Sequence, residues 1–305
     1  MLFLLDPFAS GFMLRALVGG VLVAALCGVV GTWVVIRGMA FLGEAMAHGL
    51  LPGVATAALL GLPPVLGAAV SASVMSAGVG LVSRRARLSS DTVIGLLYVA
   101  MLSIGVIIVS RSRSFATDLT AILFGDILAI QPDDLVFLTG ALGVILLLAA
   151  AFYRAFVALA FDPRVAQTMG LRPRLAQVVL VGMVTLVVIA SYRAVGSLLV
   201  VGLLLAPAVA AGHWMRRIAS TMGLAVVFGT AAVVIGLLVS WYLATAAGAS
   251  IAACSVALAV LSAAVRGIAL RLRRGDTAAT ATAKPHSFND AEPTDLRTRK
   301  EMSAL

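Results

Sequence analysis

GFMLRALVGGVLVAALCGVVGTWVVIRGMAFLGEAMAHGLLPGVATAALL, residues 11–60, is apolar for the length of two membrane crossings and carries only Arg15, Arg37 and Glu44 as formal charges. A bilayer core takes roughly 20 apolar residues per spanning helix, and residues 12–36 supply that, with Arg15 near the start as the one charge. Comparable stretches recur at 45–60, 64–82, 93–109, 135–152, 176–190, 195–211, 222–243 and 250–265. The pattern predicts an all-α integral membrane protein, a polytopic bundle of eight or nine transmembrane helices. A shorter apolar piece at 118–130, interrupted by Gly125 and Asp126, is too short to span and reads as re-entrant or interfacial.

Composition agrees. Hydrophobic residues make up 62% of the 305 and charged residues only 11%, against about a quarter charged in a soluble domain. The 29 glycines suit helices that approach closely within a membrane. Residues 1–267 read as one transmembrane domain, and 268–305 as a polar, low-complexity cytoplasmic tail without fixed structure. The N-terminal MLFLLDPFAS lacks a basic leader and places Asp6 in its first apolar run, so it reads as a short interfacial helix rather than a cleaved signal.

The net charge of +9 lies in loops and tail, not along a stripe, which argues against nucleic acid. Arginines mark one membrane side instead. They follow the third stretch (Arg84, Arg85, Arg87) and the fifth (Arg154, Arg164, Arg172, Arg174), flank His213 (Arg216, Arg217) and trail the last stretch (Arg266, Arg271, Arg273, Arg274). The positive-inside rule assigns all four groups to the cytoplasm. Counting back puts the N-terminus outside if 195–211 crosses fully, and inside if it is a half-helix; both topologies stand at this stage.

Several chemistries are excluded. The only lysines, Lys284 and Lys300, lie in the tail, so the lysine of a phosphate-cradling loop is missing and any ATP hydrolysis belongs to another chain. The residue before Glu44 is Gly43, which rules out the H-E-x-x-H pattern of a zinc protease. Cys27 and Cys254 sit in apolar runs and read as buried small hydrophobes. His213, beside Trp214 and Arg216, reads as interfacial, and His286 as a solvated tail residue.

One pair of residues stands out. Glu44 is the only formal charge between Gly38 and Ser83, and His48 the only histidine in the first 212 residues. Their i, i+4 spacing puts both on one helical face with Cβ atoms about 6 Å apart. A carboxylate inside a bilayer costs several kcal/mol and faces a cavity or a partner. Carboxylate and imidazole together suit Zn²⁺ or Mn²⁺. The alternatives are that Glu44 and His48 simply pair, or that Glu44 meets Arg37. Two ligands are also too few for a tetrahedral ion; two copies with these helices facing would supply four. Pro52, one turn on, kinks or ends the helix, as at the broken helices where transporters place substrate.

RGMAFLGEAMAHGLLPGVA, residues 37–55, resembles the signature of the zinc and manganese ABC importer permeases, the ABC-3 family, with Glu44 where that family usually has Asp. The resemblance extends to about residue 265. It implies that Glu44 and His48 line the metal path. It further implies that the FDPRVAQTMG stretch is a cytoplasmic coupling element, in which Asp162 and Pro163 start a short helix and Ala166 and Gly170 contact the ATPase. Asp as N-cap and Pro at the first helical position suit that reading independently. VGSLLVVGLLLAPAVAA, from Val195, resembles another family stretch, interrupted by Pro207; SWYLATAAGASI has Ala246 where a proline is usual.

The implied protein is a multi-pass permease of the bacterial cytoplasmic membrane that catalyses nothing covalent and needs no cofactor. Its partners would be cytoplasmic ABC ATPase subunits, an extracytoplasmic metal-binding protein and a second permease subunit, identical or related. The rivals are an ion-gradient carrier with Glu44 as proton carrier, and a permease for a metal chelate.

Overall fold

A computed structural model describes residues 10–85, 90–110, 125–161 and 172–282. Among these residues every regular element is helical. The order is α1 Gly11–Ile36, α2 Ala40–Gly49, α3 Leu51–Leu59, α4 Pro64–Arg85 and α5 Ser90–Ser110. A 3-10 turn at Ile127–Ala129 follows, then α6 Pro132–Ala151, α7 Tyr153–Phe161, α8 Pro173–Gly212, α9 Ile218–Leu243 and α10 Ala247–Thr282. Helices dominate because a segment in lipid must satisfy its own backbone. The hydroxyls obey the same constraint: Thr32, Ser73, Ser103 and Thr139 each bond the carbonyl four residues back, at 2.7 Å.

Seven helices among the described residues are long and apolar enough to cross a membrane, and Leu199–Gly212 is a shorter apolar helix. The pair α2–α3 adds one broken crossing, since Ala40 to Leu59 would cover about 30 Å of helix. Eight or nine crossings are thereby accounted for. α1 and the first half of α8 form the centre, each 61% buried, whereas α5 is 17% buried and turns residues such as Leu96 and Ile107 outward. An apolar exterior of this kind fits lipid.

α8 is not a straight rod. Forty residues of helix would be about 60 Å long, twice the bilayer core. Gly196 breaks it with φ +69° and ψ 169°. Gln177, near its start, bonds Arg37 at the end of α1. Past the break, Cys27 of α1 reaches the Val200 carbonyl and Gly31 abuts the Leu204 carbonyl. The second half therefore runs back toward the end from which the first half came. Gly125, also at positive φ, is pressed so closely against the Val195–Gly196 backbone that a Cβ there has no room.

One expectation changes. Residues 268–282 are helical, not irregular, within α10; alanine and arginine propagate a helix once it is under way. The turn that has Ala246 in place of a proline is closed by other means. Ala244 takes the left-handed conformation, Ser240 donates to the Thr245 carbonyl at 2.6 Å, and the Thr245 and Ser250 hydroxyls meet at 2.7 Å. The chain divides into two compact units, Met1–Ala263 and Ala264–Leu305, and the site described next lies in the first.

Candidate functional site

α2, AFLGEAMAHG, is built from good helix formers around two glycines. Leu42, Gly43, Ala45, Met46, Ala47 and Gly49 are buried. That leaves Phe41, Glu44 and His48 on the less buried face, at the spacing of one helical stripe. Glu44 keeps 39% of its side-chain surface exposed and His48 16%, so the stripe opens at the acid and closes toward the imidazole.

The helix breaks just beyond. Pro52 has no N–H to give the His48 carbonyl, four residues back. The adjacent Gly49 carbonyl accepts from Ser71 Oγ of α4 at 2.6 Å, and Thr56 Oγ1 donates to the Pro52 carbonyl at 2.6 Å. α3 then leaves against α4, with the Gly53 and Gly67 backbones in direct contact, where any Cβ would collide. The break fixes where α2 ends and therefore where its last polar residue points.

His48 Nε2 stands 2.9 Å from Glu44 Oε1. The ring of Tyr98 on α5 meets the imidazole edge-on, with centroids 5.7 Å apart and planes at 62°. His48 Nδ1 is buried and has no hydrogen-bond partner among the described residues. Of the arrangements left open by the sequence, direct pairing of Glu44 with His48 is the one observed. A contact between Glu44 and Arg37 is not: the Arg37 guanidinium donates to the Leu159 carbonyl and, at 2.8 Å, to Gln177 Oε1. Arg37 ends α1 and turns toward α7 and α8, whereas Glu44 lies two helical turns farther on.

Among the described residues, no group of three or more His, Cys, Asp or Glu is placed to hold a metal. One chain thus brings two ligand atoms to a common point. Asp162, Pro163, Ala166 and Gly170 lie outside the described residues; α7 ends at Phe161, directly before them. His213 caps α8, its buried Nδ1 without a hydrogen bond among the described residues. Tyr98 and Ser71 were not foreseen as neighbours of the site, because an aromatic or a serine in an apolar run carries no local signal of what it faces.

The fold and this motif have relatives. A model of the ABC 3 transport family matches residues 9–266. The chain belongs to that family. The manganese transport system membrane protein MntC of Listeria innocua is 35% identical over 251 residues, covering 82% of this chain and 89% of that protein. The chelated iron transport system membrane protein YfeD of Yersinia pestis is 32% identical over 245 residues, covering 80% and 82%. Among solved structures, PsaBC from Streptococcus pneumoniae in complex with Fab superposes with a TM-score of 0.75 at 32% identity, covering 85% of this chain and 94% of that one.

This ABC 3 family protein is a multi-pass permease of the bacterial cytoplasmic membrane. As a permease of an ATP-binding-cassette system, it works with an ABC ATPase and a substrate-binding protein.

Proposed function

We propose that the chain carries a divalent transition metal, manganese or zinc and in the same class ferrous iron, into the cytoplasm, with Glu44 and His48 as its ligands on the way. The observation that carries this is the convergence of Oε1 and Nε2 at 2.9 Å beside a broken helix. Metal–oxygen and metal–nitrogen bonds of roughly 2.1 Å at a tetrahedral angle separate two ligand atoms by about 3.4 Å. The pair has to open by only about half an ångström to admit an ion. Relatives named for manganese and for chelated iron support this cargo class. The carboxylate–imidazole pair favours the bare ion over a chelate, since a chelate brings its own ligand shell.

Two ligands hold an ion weakly, which suits release. A second permease subunit, facing the first across the path, would double the set to two carboxylates and two imidazoles. The chain itself hydrolyses nothing. Asp162, Pro163, Ala166 and Gly170 would take the movement of the ATPase, and Ala166→Glu is expected to uncouple hydrolysis from uptake.

The contacts of Arg37 also bear on topology. The end of α1 lies on the same side as α7 and the start of α8, a segment with Arg154, Arg172 and Arg174. Positive-inside reasoning makes that side cytoplasmic and the start of α1 extracytoplasmic. The direct test is metal-dependent growth and Mn²⁺ uptake by Glu44→Ala and His48→Ala cells with normal amounts of permease in the membrane. Loss of both supports the assignment; wild-type behaviour of both variants refutes it.

A further inference from the structure

Arg37 occupies the joint between the central helix α1 and the site helix α2. Its Nη1 donates to the Leu159 carbonyl on α7, and its Nη2 to Gln177 Oε1 on α8 at 2.8 Å. Gln177 Nε2 in turn donates to Met39 Sδ at 3.3 Å, and Met39 is the buried N-cap of α2. One guanidinium and one amide thus fasten the start of α2 to two other helices. The planar fork of arginine reaches two acceptors in fixed geometry, which a lysine cannot do.

Aromatic contacts reinforce the joint. Trp33, one turn before Arg37, packs its ring on Tyr153 and Phe156 of α7 at centroid distances of 5.7 and 5.2 Å. The connection itself is short. Only Arg37, Gly38 and Met39 separate α1 from α2, and Gly38 turns the chain at φ +65°. A link of that length has little slack, so a shift imposed on Arg37 or Met39 passes into α2. Glu44 stands five residues beyond the N-cap Met39, about 7.5 Å along α2.

The bonding is not exhausted in this arrangement. Among the described residues both acceptors of Arg37 are neutral, no carboxylate lies within 4 Å of it, and its buried Nε has no partner. Hydrogen bonds from a guanidinium to neutral oxygens are weaker than those to a carboxylate, and an unmet buried donor gains where a rearrangement brings it an acceptor. These are properties of a contact that shifts rather than of a permanent rivet.

We propose that Arg37 is a positioning residue that passes displacement of α7 to the helix bearing Glu44 and His48. The proposal rests on the metal-import reading above, because α7 leads directly into the residues assigned there to the ATPase contact. It places the mechanical link between ATPase and cargo site in one side chain that touches neither.

The test uses the assembled permease–ATPase complex in liposomes, with its substrate-binding protein supplied on the extracytoplasmic side and Mn²⁺ as the probe. ATP hydrolysis, Mn²⁺ uptake and Mn²⁺ binding are measured for wild type, Arg37→Ala, Arg37→Lys, Gln177→Leu and Glu44→Ala. Arg37→Ala is expected to lower Mn²⁺ moved per ATP by about tenfold while Mn²⁺ affinity stays within about twofold. Gln177→Leu and Arg37→Lys are expected to fall between that variant and wild type. An unchanged ratio of Mn²⁺ to ATP in Arg37→Ala overturns the proposal, as does a loss of binding in step with the loss of uptake. If Arg37→Ala does not assemble, a wild-type ratio in both milder variants overturns it. Failure of the underlying reading has a separate signature, namely Glu44→Ala that still binds and transports Mn²⁺ like wild type.

Discussion

Two helices of this permease are broken inside the membrane, and the breaks differ in kind. The α2–α3 break follows from Pro52, and it leaves an acid and an imidazole on the partly open face just before it. The α8 break follows from Gly196 in a left-handed conformation, and Gly125 closes over it backbone to backbone. The first presents chemistry and the second presents only a turn. A broken helix is therefore not itself a site; what matters is whether polar groups are left on a partly open face or are sealed by a neighbouring chain segment.

Removing the chemistry while keeping the fold separates the two breaks most sharply. Glu44→Ala and His48→Ala are each expected to lower Mn²⁺ uptake by about a hundredfold. The double variant should be little worse, because ligands that act as one unit are not additive. Steady-state uptake by cells matched for permease content checks both statements.

The α8 break is expected to respond in stability rather than in transport chemistry. Gly125→Ala forces a Cβ into the Gly196 backbone at a φ that alanine tolerates poorly, and should cost about 2 kcal/mol or more. A lowered thermal midpoint in detergent, with Mn²⁺ affinity of the folded fraction unchanged, is the expected result. Normal stability would mean that the two backbones do not meet.

Pro52 offers a smaller and more selective change. It lies at the start of α3, where its missing N–H is tolerated, so Pro52→Ala should alter stability by less than about 1 kcal/mol. Returning an N–H to the His48 carbonyl extends α2 and re-aims its end, and uptake should fall by about threefold to tenfold. The least effect belongs to Tyr98. Tyr98→Phe keeps the ring against His48 and should be neutral, whereas Tyr98→Ala should weaken Mn²⁺ binding by about threefold, read by titration of the purified complex.

Much of this was legible in the residues because membrane proteins obey few and strong rules. A run of apolar residues in lipid has to be helical, so the spans follow from hydropathy alone. Glu44 and His48 are conspicuous because nothing else near them is polar. The break after His48 was visible in Pro52. The reversal of α8 was not, since a glycine in an apolar run looks the same whether it packs a helix or turns it, and Gly196 acquires meaning only beside Gly125.

The partners of Arg37 were equally hidden. The sequence offered Glu44 only as one alternative partner for it, and the fold brings up Leu159 and Gln177 instead, more than a hundred residues away in the chain. Helices 268–282 and the Ala246 turn show the same limit: local composition suggested irregularity in one and a missing proline in the other, and helix propagation and serine–threonine bonding decided each.

Transport by this route depends most on metal being held by the paired side chains of α2. Pulsed electron paramagnetic resonance of Mn²⁺ on the purified complex reports nitrogen bound to the ion, and comparing wild type with His48→Ala isolates one imidazole. The expected result is a histidine-nitrogen coupling in wild type that disappears in the variant. An identical nitrogen signal in both, or Mn²⁺ bound with oxygen ligands alone in wild type, would contradict the assignment.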